Sequence, residues 1–189
     1  MRSSLLPARP NGQFTGATFR KFLLSASIAF LTAASPALAQ SANNPSGLPL
    51  PRFASTRSEP VNVRVGPGTR YDIAWTYIKA GQPVEIIQEF DTWRKIRDVE
   101  GDTGWVHQNL LSGRRVALVA PWAKAETGLL RKAEETAPVR AWLGAGFLVG
   151  IDACEKSWCR IEAENAGKTY AGYVPQNKLW GVYPNEEFN

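Results

Sequence analysis

The chain reads as an all-β protein, two small β-barrels in tandem behind an export leader and a short flexible tether. Three observations predict this. Short runs rich in Val, Ile, Trp and Tyr alternate with a period of two, Gly, Pro and Asp punctuate them, and the whole pattern occurs twice, about 65 residues apart.

The leader comes first. Arg20-Lys21 precede an uncharged apolar stretch from Phe22 to Ala34, which is followed by Ser35-Pro36-Ala37-Leu38-Ala39. This is the pattern of a signal peptide over residues 1–39, with small residues placed for cleavage after Ala39. About 13 apolar residues make a helix of roughly 20 Å, short of the ~30 Å hydrocarbon core, so no stable membrane anchor is expected after processing. The expected location is periplasmic or secreted. Residues 40–56 carry Asn, Ser, Gly and Pro without apolar periodicity and read as a tether.

The first unit spans 57–115. In Val84-Glu85-Ile86 and Trp93-Arg94-Lys95-Ile96, alternation turns Val84, Ile86 and Ile96 inward and Glu85 and Lys95 toward water. Gly101-Asp102 supply a hairpin turn, and Gly104-Trp105-Val106 return as the next strand. About five such strands curl into a barrel, which removes most open edges. The second unit spans 116–184, followed by a tail at 185–189. Its Trp158-Cys159-Arg160-Ile161 answers Trp93 to Ile96 at a spacing of 65, and Gly172-Tyr173-Val174 answers Gly104 to Val106 at 68. An insertion near Asn165-Ala166-Gly167 accounts for the difference, and Leu130-Arg131 is matched to Val63-Arg64.

The residues then resemble a known family. Val61-Asn62-Val63-Arg64-Val65-Gly66-Pro67-Gly68-Thr69-Arg70-Tyr71, with Trp93-Arg94-Lys95-Ile96 and Gly104-Trp105-Val106 downstream, looks like the bacterial SH3 domain of exported proteins, closely over 57–115 and loosely over 116–184. The resemblance implies two SH3-like barrels and a non-catalytic binding module for a cell-envelope ligand, a peptidoglycan peptide or glycan. A periplasmic protein-protein adaptor or assembly factor is the alternative. Recognition of PxxP segments is not carried over, because that mode uses an acidic loop and this loop has Arg64 and Arg70.

Candidate ligand-binding residues lie around the glycine-proline bend, where Gly66 and Gly68 are expected to adopt backbone conformations closed to other residues. They are Arg64, Tyr71, Trp75, Trp93 and Trp105. Trp105 reads first as core, with a groove role as the alternative. Arg64 reads first as a loop tie, through carbonyls or a carboxylate such as Asp72 or Asp98, because it is matched by Arg131. The first copy is expected to bind and the second to support it.

Other chemistry is excluded or disfavoured. His107 is the sole His, at a strand end, with no Gly-x-Ser-x-Gly element beside it, so no hydrolase triad is expected. One His and two Cys give no four-ligand zinc set, and Gly66-x-Gly68 lacks the rest of a dinucleotide fingerprint, so no metal or cofactor is expected. Nucleic acid is not an expected partner. Of the formal charge of +5, Arg2, Arg9, Arg20 and Lys21 supply four, and residues 53–115 hold nine basic against eight acidic side chains. In an oxidising compartment Cys154 and Cys159, separated by a tight connection, are read as a disulfide, with two buried free thiols as the alternative.

Overall fold

The computed structural model describes residues 44–189, and the leader expected at 1–39 lies outside them. The first unit contains β1 (Arg52–Thr56), β2 (Val61–Arg64), β3 (Ile73–Tyr77), β4 (Pro83–Phe90), β5 (Trp93–Arg97), β6 (Thr103–His107) and β7 (Leu111–Ser112), with a 3-10 turn at Gln108–Leu110. The second contains β8 (Val116–Val119), β9 (Thr127–Leu130), β10 (Val139–Leu143), β11 (Phe147–Glu155), β12 (Trp158–Asn165), β13 (Lys168–Pro175) and β14 (Leu179–Trp180), with a 3-10 turn at Gln176–Lys178.

All strand pairs are antiparallel, and the orders are β3-β2-β6-β5-β4-β1-β7 and β10-β9-β13-β12-β11-β8-β14. Adding seven to each strand of the first order gives the second, so the two units are copies of one topology. The inward positions of the alternation fill each core. Val61, Val63, Val84, Ile96 and Val106 are fully buried in the first unit, and Leu129, Ile161 and Val174 in the second. Each sheet turns sharply where β6 crosses β2 and β13 crosses β9, and both crossings need glycine. A Cβ on Gly104 would sit 3.1 Å from the Arg64 carbonyl, and one on Gly172 would sit 2.6 Å from that of Leu130.

Those crossings correct the match between the copies. Arg64 pairs with Trp105 and Leu130 with Tyr173, so Arg64 is equivalent to Leu130 and not to Arg131. Arg131 is exposed. The tether expected over 40–56 is also too long. Arg52–Thr56 is a strand held between β4 and β7, because its alternation is short but its inward Ala54 and Thr56 are buried.

The preceding segment is fastened as well. Ser46 donates from its backbone N–H and its hydroxyl to Glu89, at 2.9 and 2.7 Å. Glu89 also meets the guanidinium groups of Arg52 and Arg94, both ion pairs being largely shielded from water. Burial raises the Glu89 carboxyl, but the hydrogen bonds from Ser46 and Arg52 and the charge of Arg94 outweigh it and hold the pKa below the ordinary carboxylate value.

The equivalent cross-strand position in the second barrel carries different chemistry. Glu89 faces Arg94 across the β4–β5 hairpin, and Cys154 faces Cys159 across β11–β12. The two cysteines form the expected disulfide, buried in the core. The turn between them is Lys156-Ser157, both at positive φ (48° and 67°), a conformation that suits Asn-Gly and costs other residues about 1–2 kcal/mol each. The covalent bond holds a hairpin that its turn residues disfavour. Phe188 of the C-terminal tail then bridges back to Cys154, exchanging two backbone hydrogen bonds of 2.9 and 3.1 Å. Arg115, which stands where Arg52 stands in the first barrel, pairs with Glu186 at 2.7 Å and lies over the Phe188 ring.

Where the barrels meet, Phe53 packs on Trp180 (ring centroids 5.4 Å apart) and Tyr183 (4.8 Å), and the Tyr183 hydroxyl donates to Glu85 at 2.8 Å. Glu85 was expected to meet water. Its outward face is as the alternation predicts, but the second barrel covers that face and leaves the residue 6% exposed, paired with Arg97.

Candidate functional site: a tryptophan-floored cleft in each barrel

On β5 the residues opposite Ile96 point away from the core, and on β6 those opposite Val106 do the same. Trp93, Lys95, Trp105 and His107 therefore share one outer face, with Trp93 paired to His107 and Lys95 to Trp105. The rings of Trp93 and His107 meet edge to face, with centroids 5.5 Å apart. The loop between β2 and β3 closes over one side, and a shallow cleft of about 540 Å3 remains, lined by Gly68, Thr69, Arg70, Thr92, Trp93 and His107.

The loop is rigid for a reason that differs from the expected one. Neither Gly66 nor Gly68 has a positive φ. Glycine is needed at 66 for space, since a Cβ there would lie 2.6 Å from the Tyr71 ring, which folds back onto the bend. Arg64 holds the loop from below, donating from Nη1 to the Tyr71 carbonyl at 2.7 Å rather than pairing with Asp72 or Asp98. The Arg70 guanidinium lies over the Tyr71 ring, 5.0 Å from its centroid.

Of the five candidate residues, Trp93 lines the cleft. Arg64 and Tyr71 build the loop beside it. Trp105 lies on the same outer face as Trp93, next to Arg64, and is half-buried rather than core. Trp75 is on the other side of the sheet: it pairs with inward Val63, packs against the core and comes within 3.2 Å of where a Gly104 Cβ would be. The shift at the β2–β3 bulge, between Val63 and Arg64, separates it from the groove. Burial pushes the neighbouring Tyr77 hydroxyl up to about 12, with the acids Asp98, Glu100 and Asp102 adding to the effect. His107 accepts a backbone N–H from Asn109 at Nδ1, which caps the 3-10 turn.

The second barrel repeats the cleft with other linings. Trp158 stands where Trp93 stands, and Pro175 stands where His107 stands. Two adjoining hollows of about 470 and 390 Å3 share Glu135, Trp158 and Pro175, and Trp122 borders one while Trp142 borders the other. Trp122 and Trp142 are 58% and 61% exposed. The copy expected to be mainly support has the more aromatic lining, spread over two hollows. The residue-by-residue spacing already equated Trp158 with Trp93, but nothing in the loose match of 116–184 singled out Trp122 or Trp142.

The family model described as "Bacterial SH3 domain" matches residues 57–113 and again 123–181, more than half of the chain. The chain belongs to the bacterial SH3 domain family. Each match falls within one barrel, so the SH3 unit is the repeat seen in the strand order. A search of curated proteins finds no match. Among solved structures, the chain is similar to NlpC2 from Trichomonas vaginalis, at 13% identity and a TM-score of 0.31, covering 69% of this chain and 48% of that one. It is similar to NlpC1 from the same organism at 13% identity and a TM-score of 0.30, covering 70% and 46%. The chain thus spans about half the length of these two structures.

Proposed function

We propose that the protein is an exported, non-catalytic binding module that holds a cell-envelope ligand, a peptidoglycan peptide or glycan, in its tryptophan-floored clefts. The observation that carries this reading is that the same cleft forms at the same place in both barrels, with an outward tryptophan at its floor each time. A flat indole face offers a sugar ring or a peptide plane large contact area at little entropic cost, and the rim supplies Arg70 in one cleft and Glu135 and Lys178 in the other. Bacterial SH3 domains are binding modules that often work in cell-wall contexts.

Export is supported by the leader pattern at 1–39 and by the Cys154–Cys159 disulfide, since such bonds persist in oxidising compartments. The absence of bond-breaking chemistry is supported by His107, whose hydrogen bond among the described residues is to the Asn109 backbone, and by the bonding of both cysteines to each other.

Co-sedimentation of residues 40–189 with purified sacculi tests the proposal. Protein should pellet with the wall, and the pelleted fraction should fall when Trp158→Ala is introduced. A second reading, a periplasmic adaptor, is favoured by the exposed Val139 and Trp142 on the edge strand β10. No sedimentation, together with a single envelope protein recovered by crosslinking, would decide for the adaptor.

A further inference from the structure

The loops that rim the two tryptophan clefts have the same length and the same internal hydrogen bonds, which equates their residues one by one. In the first, the backbone N–H groups of Val65 and Tyr71 donate to the carbonyls of Asp72 and Gly68. In the second, those of Arg131 and Ala137 donate to Pro138 and Glu134, every residue shifted by the same interval. Thr69 is therefore equivalent to Glu135, and Arg70 to Thr136. A rim that carries a guanidinium in the first barrel carries a carboxylate in the second.

In the hollow of about 470 Å3, Glu135 is the one charged residue of the lining. Lys124, Arg131 and Lys132 do not line it, and Lys178 borders only the neighbouring hollow. Among the described residues no basic side chain pairs with Glu135. The walls are otherwise largely apolar, with Trp122, Trp158, Pro175 and Pro184 among them. Trp122 comes from the connection between β8 and β9, which runs over 120–126 where the first barrel has only 57–60. Pro184 stands in a turn closed by the Glu186 N–H donating to the Tyr183 carbonyl at 3.1 Å, with Asn185 at a φ of 59°, the residue types of a type II turn. Gln176, 5% exposed, fixes that turn against the barrel: its Oε1 accepts the Asn185 N–H at 2.9 Å, and its Nε2 donates to the Glu186 carbonyl at 2.6 Å. The hollow is thus completed by a segment beyond the residues that the family model matches.

We propose that this hollow binds an organic cation whose charge sits on a methylated ammonium. An ammonium that keeps its N–H groups is strongly hydrated and needs acceptors in place of its water, whereas a methylated one presents carbon and loses little against apolar walls. Indoles attract such a cation through the negative face of the ring, and Trp122 and Trp158 supply two. The Glu135 carboxylate sets the sign, so a neutral molecule of the same shape is held less well and an anion is repelled. Arg70 makes the first cleft reject the same ligand. The inference goes beyond the wall-binding reading and does not depend on it.

The probe is choline, titrated at low salt into 15N-labelled residues 40–189, with its uncharged isostere, in which carbon replaces the nitrogen, as the control. The indole N–H signals of Trp122 and Trp158 should shift saturably with choline and stay in place with the isostere, and that of Trp93 should not move. Glu135→Gln should weaken binding about threefold and Trp158→Ala about tenfold. Trp142→Ala, which touches only the neighbouring hollow, should leave the affinity unchanged. Glu135→Arg, which gives the rim the sign of the first cleft, should abolish binding, and because Glu135 is exposed its variants keep the core intact if Trp158→Ala misfolds. Phosphatidylcholine vesicles separate the two sources of the cation: competition with choline assigns the site to a lipid headgroup, and its absence to a free solute. Unmoved indole signals, an equal response to the isostere, or an affinity indifferent to Glu135→Arg would overturn the proposal. No sacculi enter the measurement, so this inference and the wall-binding reading fail separately.

Discussion

At the scale of single residues, the account depends on side chains whose position is set by what lies behind them. Tyr71 can fold onto the bend only because position 66 has no Cβ, and Arg64 can hold that bend only from the outer face of β2. Gly66→Ala should therefore force the Tyr71 ring off the loop and lower stability by about 1–3 kcal/mol, read from denaturant midpoints, with the barrel otherwise retained. An unchanged midpoint would show that the ring moves freely. Glu89 is held to two guanidinium groups and to Ser46, away from water. Glu89→Ala leaves Arg94 buried without its carboxylate and should cost about 3–5 kcal/mol. The residues that sequence reading placed correctly were those on regular strands, such as Trp93 opposite Ile96. Trp75 was misplaced because a bulge in β2–β3 shifts the register and the face, and a bulge leaves no mark in an alternation pattern.

At the scale of elements, the β4–β5 and β11–β12 hairpins show one structural demand met twice. The first pins its hairpin with the Glu89–Arg94 pair, and the second with Cys154–Cys159. Each is then covered by a segment flanking its barrel, that around Ser46 or that around Phe188. Cys154→Ala with Cys159→Ala should lower stability by about 2 kcal/mol, since the loop closed is short, and should leave the strand order intact. Loss of the fold would mean that the bond specifies the hairpin instead of stabilising it. Strand positions, the repeat and the disulfide were legible in the sequence because each leaves a local signal. The strand at Arg52–Thr56 and the docking of the tail were not, because both are held by partners far along the chain.

At the scale of the molecule, the two barrels meet through Phe53, Glu85, Trp180 and Tyr183, and a carboxylate in each fastens a flanking segment. Burial raises the carboxyl groups of Glu89 and Glu186, but hydrogen bonds and basic neighbours hold both below the ordinary value of 4.5. A lowered pKa in the folded state means stability that is present above that value and lost as pH falls below it. Burial and the hydrogen bond to Glu85 hold Tyr183 above its ordinary value of 10.0, so its contribution is present below pH 10 and is lost as pH rises beyond it. A thermal melt across pH should therefore show a plateau that falls off on both sides, and Glu186→Gln should reduce the acid slope. Nothing in the sequence showed that Glu85 would be covered, because alternation assigns a face and does not say what rests on it.

The measurement closest to the central claim is a binding isotherm on purified sacculi for residues 40–189 and for the pair of substitutions Trp93→Ala and Trp158→Ala, with the supernatant assayed for released wall fragments. The account predicts saturable binding, a loss of at least about tenfold in affinity on removing the two indoles, and no fragments. Binding that ignores both tryptophans, or a supernatant that fills with wall fragments, would contradict it.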